Sequence, residues 1–211
     1  MPVRSDGRIE SAVSRSVLDE VLSAYRLTPA QHIVAGLVVL GDSNKLIATR
    51  RRVSGHTVRT QVGDIFKAAD VSGRTEFLAD VLRRVLANCA RSGKLVWSSS
   101  LESSARDEVG AIPRGEDECN GPRALLCAAL DEYRLTPAER AVAVRMLLGE
   151  SNTLIAQCRE VSPGTVRAQV GDIFKAAGVA GRTALLASVL KRVLAIANRE
   201  LTDGRQELPA G

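Results

Sequence analysis

A 13-residue stretch, TVRTQVGDIFKAA at residues 57–69, occurs a second time as TVRAQVGDIFKAA at residues 165–177. The two copies differ only at Thr60 and Ala168, and the offset between them is 108 residues. Apolar residues recur within each copy at three- and four-residue intervals, which predicts an amphipathic helix. A chain of 211 residues with such a long internal period is expected to form two similar small domains.

The repeat extends beyond this helix, because YRLTPA at residues 25–30 returns at residues 133–138 with the same offset. Each repeated region has five more basic than acidic residues, whereas the segment between them is acidic and rich in Ser, Gly and Pro. Basic charge on both repeats is typical of modules that face a polyanion. The predicted division is a polar N-terminal tail (1–11), a first domain (12–91), a flexible acidic linker (92–122), a second domain (123–199) and a disordered C-terminal tail (200–211).

Helix start signals predict an all-α chain in which each domain has four helices and an extra preceding helix. Thr28, followed by Pro29 and Gln31, predicts a capping box at the first of the four. Serines open the next two helices, and Thr75 and its counterpart Thr183 are expected to cap the fourth.

The spacing of apolar residues also predicts which sides of these helices face the core. In the second of the four helices, Leu46, Ile47 and Ala48 are expected to point inward. The fourth helix of each domain carries two adjacent apolar columns, more than a small three-helix core needs. The stripe fits two arrangements equally well, contact with another helix of this type or coverage by the preceding helix of the same domain. Its central residues are Leu78, Val81, Leu82, Val85, Leu186, Val189, Leu190 and Val193.

Composition excludes several classes of protein. No apolar run is long enough to span a bilayer and the N-terminus is polar, so we expect a cytoplasmic, nucleoid-associated protein without membrane contact. The four cysteines lack the close, regular spacing of a metal site, and we expect neither a metal nor a cofactor. No nucleophile with a nearby base and no phosphate loop stands out, which argues against an enzyme.

An ordered set of short motifs occurs in both copies. In the first copy it comprises Leu27-Thr28-Pro29, Gly41, Ser43-Asn44, Ile47-Ala48, Val53-Ser54, Thr57-Val58-Arg59 and Arg74-Thr75. In the second it comprises Leu135-Thr136-Pro137-Ala138-Glu139, Gly149, Ser151-Asn152, Ile155-Ala156, Val161-Ser162, Thr165-Val166-Arg167 and Arg182-Thr183. This set resembles the LuxR-type helix-turn-helix domain of bacterial transcription regulators, and the resemblance covers both repeats but neither the linker nor the tails.

The resemblance implies double-stranded DNA as the partner and the duplicated stretch as a pair of recognition helices. Arg59 and Arg167 are the first candidates for base reading, because a guanidinium pairs bidentately with guanine. The full predicted base-reading set is Arg59, Thr60, Gly63, Arg167, Ala168 and Gly171. The predicted contacts to the DNA backbone are Ser43, Asn44, Lys45, Thr57, Gln61, Lys67, Ser151, Asn152, Thr165, Gln169 and Lys175.

Both copies depart from the family pattern in the same way. The family often has histidine at the position of Gln61 and asparagine at that of Asp64. Asp64 is expected to pair with Lys67, and Asp172 with Lys175, rather than face DNA. Gly63 in mid-helix is open to two explanations, close approach of the helix backbone to DNA or close packing and simple tolerance inside the protein.

The tandem copies predict a chain that imitates a dimer on two similar half-sites, either through its own fourth helices or through those of a second chain. The run Arg50-Arg51-Arg52 has no full counterpart in the second copy. This difference fits two explanations equally well: the first copy binds the DNA backbone more tightly, or the run is an ordinary solvated charged surface. The alternative function is a protein-interaction module with little DNA affinity, acting on RNA polymerase or on another regulator.

Overall fold

The computed structural model describes residues 10–91 and 122–203, and within these ranges all regular structure is helical, as predicted. Repeat one contains α1 (Glu10–Ser23), α2 (Pro29–Val39), α3 (Asn44–Arg51), α4 (Gly55–Ala68) and α5 (Arg74–Arg91). Repeat two contains α6 (Pro122–Leu130), a 3-10 turn (Asp131–Tyr133), α7 (Pro137–Leu147), α8 (Asn152–Cys158), α9 (Pro163–Ala176) and α10 (Arg182–Asp203).

The helix ends differ slightly from the predicted boundaries. Helix α1 begins inside the predicted N-terminal tail, α6 begins at the last residue of the predicted linker, and α10 continues into the predicted C-terminal tail. Val193, Leu194 and Ala197 are buried along the C-terminal half of α10. The rest of the predicted linker and of both tails lies outside the described residues.

The predicted capping box is present at the start of α2. Gln31 N donates to Thr28 Oγ1 at 3.3 Å, and Thr28 N donates to Gln31 Oε1 at 3.0 Å. Thr136 and Glu139 repeat the arrangement at α7. Ser43 and Ser54 cap α3 and α4, also as predicted.

The expectation that Thr75 and Thr183 cap the fourth helices is wrong. Helix α5 begins at Arg74, and the carbonyl of Gly73 already accepts from Phe77 N at 2.9 Å. Thr75 therefore lies in the first turn of α5, where its hydroxyl contacts that of Thr183 in α10 at 2.7 Å.

The expectation that Leu46 points inward is also wrong. Ile47 is fully buried and Ala48 half-buried, but Leu46 is 41% exposed, as is its counterpart Leu154 at 45%. Three consecutive helical residues span about 200° around the axis, so all three cannot face one core.

Helices α5 and α10 lie against each other at the centre of the molecule. Both arrangements predicted for the wide apolar stripes are present. Helix α5 contacts the fourth helix of the other repeat, α10, and it also contacts α1 of its own repeat and α6 of the other. The eight stripe residues, Leu78, Val81, Leu82, Val85, Leu186, Val189, Leu190 and Val193, are all fully buried. A single cluster of buried apolar side chains consequently runs through both repeats.

The contacts between the repeats are reciprocal. A Cβ placed on Gly41 of repeat one would lie 3.2 Å from Ala187 Cβ, and one placed on Gly149 of repeat two would lie 3.9 Å from Ala79 Cβ. With the Thr75–Thr183 contact between them, these pairs relate the two repeats by an approximate two-fold axis, as in an isologous dimer interface.

A polar network joins the turn after α1 to α5 on the outer side of the core. The Tyr25 hydroxyl donates to Asp80 Oδ2 at 2.7 Å, and Asp80 also accepts from Arg83 and Arg84 at 3.2 and 2.8 Å. Burial by itself would raise the pKa of the Asp80 carboxyl, but the hydrogen bonds from Arg84, Tyr25 and Arg83 hold that pKa below its ordinary value. In repeat two the equivalent residue is Ser188, which shares a hydrogen bond of 2.9 Å with Tyr133.

This difference predicts an acid-sensitive contribution from repeat one. Asp80→Ser copies the repeat-two arrangement and is expected to lower the free energy of unfolding at pH 7 by about 1–2 kcal/mol. The loss is no larger because the two arginines that pair with Asp80 are half-exposed to solvent. The pKa of the Asp80 carboxyl is lower in the folded than in the unfolded protein. Its contribution to stability is therefore present above the unfolded pKa of about 3.9 and is lost as pH falls through the folded pKa. Urea unfolding from pH 7 to pH 2.5 checks this, and a constant gap between wild type and variant would contradict it.

Candidate nucleic-acid interface

Helices α4 and α9 each divide into a buried and an exposed side, as the sequence predicts. Val58, Val62 and Ile65 of α4 are buried against the rest of repeat one. On the other side, His56, Arg59, Thr60 and Lys67 are exposed, and Gly63 is half-buried. The equivalent residues of α9 follow the same division.

The predicted base-reading arginines lie at the middle of these exposed sides. Arg59 and Arg167 are exposed, and neither makes a hydrogen bond or ion pair within the described part of the chain. Their guanidinium groups are therefore available to an outside partner, for example to the O6 and N7 acceptors of guanine.

The remaining members of the base-reading set are smaller. The Thr60 hydroxyl donates to the His56 carbonyl at 3.2 Å, so its proton is used within the helix while its methyl group stays available. Ala168, its counterpart, is exposed and offers only a methyl group. Both side chains suit an apolar contact such as that with the methyl group of thymine.

Gly63 and Gly171 lie beside open space. A Cβ added at either position would have no heavy atom of the described residues within 4 Å, so close packing within this part of the chain is not the reason for glycine. Of the explanations open from the sequence, approach of an external partner to the helix backbone and simple tolerance remain.

Gln61 and Gln169, predicted to touch the DNA backbone, have intramolecular partners. Arg51 donates to Gln61 Oε1 at 2.9 Å, and Arg159 donates to Gln169 Oε1 at 3.1 Å. These pairs tie α3 to α4 and α8 to α9. A phosphate contact from either glutamine would compete with this bond.

The predicted backbone-contacting hydroxyls belong to helix caps. Ser43 Oγ accepts from Leu46 N at 3.3 Å, and Ser151 does the same for α8. The hydroxyls of Thr57 and Thr165 lie 2.8 and 2.9 Å from the capping serines of their helices. These groups hold the helix starts in place whether or not a phosphate binds there.

The predicted aspartate–lysine pairs occur in repeat two only. Asp172 and Lys175 form an ion pair of 3.0 Å, whereas Asp64 and Lys67 form none within the described residues. Lys67 is exposed and its ammonium group remains available on the outer side of α4.

Most of the arginine run of repeat one is engaged within the protein. Arg50 pairs with Asp42 at 2.8 Å, and Arg51 holds Gln61. Only Arg52 is exposed with no polar contact in the described part of the chain. Of the three arginines expected to strengthen backbone binding by repeat one, only Arg52 therefore remains available for it.

Arg52 lies in a place that the sequence did not indicate, an open groove of about 470 Å³ between α3 and α4. Lys45, Arg59 and Asn44 also line this groove, and Asn44 Oδ1 is buried there without a hydrogen bond. The three cations are spread over 15 positions of the chain, so only the turn between the helices brings them together.

No model of a known protein family, no curated protein and no solved structure matched this chain. In the described residues, no group of three or more metal-ligating side chains occurs, and no helix is long and apolar enough to cross a membrane.

Proposed function

We propose that the protein binds double-stranded DNA in a sequence-specific manner through α4 and α9 and acts as a transcription regulator. The observation that carries the proposal is the exposed side of these two helices, where Arg59 and Arg167 have no polar partner among the described residues and glycines leave the backbone open. A recognition helix enters the major groove with an exposed side of this kind facing the DNA, so that its long polar side chains contact the base edges.

The local geometry fits a helix-turn-helix. Helices α3 and α4 are joined by the three residues 52–54, and α8 and α9 by 159–162. The first helix of each pair presents its capped start and the second its arginine, as the resemblance to LuxR-type domains implies. The net charge also supports DNA binding, because each repeat carries five more basic than acidic residues and so attracts phosphate.

The reciprocal packing of α5 on α10 suits a site of two half-sites. An approximate two-fold axis in the protein is matched by an inverted repeat in the DNA, with half-sites about one helical turn apart. One chain would then bind as dimers of single-domain regulators do.

A random-pool selection followed by anisotropy titration tests the proposal. The full chain is expected to enrich an inverted repeat and to bind it at least ~10³-fold more tightly than a random duplex of equal length. Binding that depends on duplex length but not on sequence would indicate a DNA-coating role and contradict specificity.

A protein-interaction module is the second candidate, and exposed apolar residues beside the proposed recognition helices favour it. Leu46 and Leu154 are 41% and 45% exposed, and Val53 and Val161 are both 37% exposed. Such a surface suits RNA polymerase or another regulator. Capture of a protein partner, together with no salt-dependent affinity for any duplex, would decide for this module.

Replacing Gly63 and Gly171 by alanine separates the two remaining explanations for these glycines. Each substitution is expected to stabilise the fold by about 1 kcal/mol, because alanine is the better helix former and the added methyl group meets no protein atom. We expect the same double variant to bind the selected duplex more weakly, since the methyl groups would point at the DNA. Urea unfolding and anisotropy measure the two effects; higher stability with unchanged affinity would leave simple tolerance as the explanation.

A further inference from the structure

The groove between α3 and α4 of repeat one has a different charge from the equivalent surface of repeat two. Its lining includes Lys45, Arg52 and Arg59 and no acidic residue. The equivalent positions in repeat two carry Thr153, Glu160 and Arg167. The local net charge is therefore +3 in repeat one and zero in repeat two.

The backbone at these positions is similar in the two repeats, although α8 ends one position earlier than α3. Arg52 follows α3 directly and Glu160 lies two residues beyond the end of α8, and both have a φ of 54° in the left-handed region. Lys45 and Thr153 are both exposed in the first turn of these two helices. The two repeats thus present different charges from the same framework, while the arginine on the proposed recognition helix is retained.

Neighbouring charges do not offset this difference. Arg50 and its counterpart Cys158 differ by one charge, but Arg50 is neutralised by Asp42. In repeat two the equivalent acid, Glu150, pairs with Arg145 at 3.1 Å instead. Each acid is therefore paired with an arginine of its own repeat.

We infer that this groove is a phosphodiester-binding site confined to repeat one, so that repeat one anchors the chain on DNA and repeat two adds base contacts with little backbone affinity. The inference rests on the proposed DNA-binding function.

Exchanging the charges tests the inference in full-length protein. The variants are Lys45→Thr/Arg52→Glu, Thr153→Lys/Glu160→Arg, and the fourfold exchange, which has the composition and net charge of the wild type. Each is titrated against a labelled random-sequence duplex of about 30 base pairs over a salt series, with thermal melting as the check on folding.

Loss of two phosphate contacts lowers the salt slope by about 1.8, which corresponds to ~60-fold weaker binding at 0.1 M salt. We expect at least this loss for Lys45→Thr/Arg52→Glu, a gain for Thr153→Lys/Glu160→Arg, and near wild-type affinity for the fourfold exchange. A folded Lys45→Thr/Arg52→Glu variant with wild-type slope and affinity would overturn the inference and leave the proposed function standing. If the wild type itself binds no duplex at low salt, both fall.

A second measurement reports which repeat holds the DNA. A duplex of about 12 base pairs carrying one selected half-site is too short for two recognition helices one turn apart. In the wild-type background, Arg59→Ala is expected to weaken binding to it more than Arg167→Ala does. In the fourfold exchange this order is expected to reverse, and equal effects in both backgrounds would overturn the inference.

Discussion

The Arg59→Ala/Arg167→Ala double variant is expected to lose the preference for a selected duplex over a random one while remaining folded. A bidentate arginine–guanine pair contributes about 1–3 kcal/mol of discrimination, so two such pairs account for roughly 2–6 kcal/mol, or at least ~30-fold in the affinity ratio. Both arginines are exposed and have no intramolecular partner in the described residues, and alanine is the best helix former. Stability should therefore change little.

Anisotropy titrations with both duplexes over a salt series measure this effect. The charge-matched control is Arg91→Ala/Arg199→Ala, which removes the equivalent arginines near the C-terminal ends of α5 and α10. The control is expected to weaken binding to both duplexes to a similar small extent and to leave the ratio of the two affinities unchanged. Unchanged discrimination in the Arg59/Arg167 variant would remove the assignment of α4 and α9 as reading helices.

Phe77→Ala is expected to cost about 3–5 kcal/mol of stability, the largest effect of any single substitution considered for this chain. Phe77 is fully buried in α5, and its ring lies 5.7 Å from the rings of both Tyr25 and Phe66. Alanine would remove both aromatic contacts and leave a cavity between α5, α4 and the turn after α1. The equivalent residue of repeat two is Leu185, so Phe77→Leu is the matched control and should cost less than half as much.

Because the buried cluster is continuous through both repeats, the loss is expected to appear in the whole molecule. Urea unfolding followed by circular dichroism should give one transition that moves as a unit to lower urea in Phe77→Ala. Two transitions, with only one displaced, would mean that the repeats unfold independently despite their shared core.

The local features of the fold could be predicted from the sequence because they depend on neighbours along the chain. Thr28 with Gln31, and Ser54 with Thr57, form caps that involve residues three positions apart. Local signals were misleading at two places. Thr75 and Thr183 lie in the first turns of α5 and α10 instead of capping them, and three consecutive apolar residues did not reveal that Leu46 points outward.

The candidate site was predictable only in part. The duplicated stretch indicates which side of α4 is exposed, since its buried valines and isoleucine recur with helical spacing. It does not indicate that Arg51 would be held by Gln61, or that Arg52 would join Lys45 and Arg59 in one groove. Those outcomes depend on the angle and turn between two helices, which local patterns do not encode.

The all-helical character, the two like units and the arginine-bearing amphipathic helix in each follow from the order of the amino acids, because caps, periodicity and the repeat are local or self-similar. That the units share one core, with Thr75 against Thr183 near an approximate two-fold axis, is visible only in the folded chain. The tertiary structure also decided which charges of repeat one are neutralised internally and which line an open groove. Both depend on distances between residues far apart in the chain, and packing of α5 on α10 sets those distances.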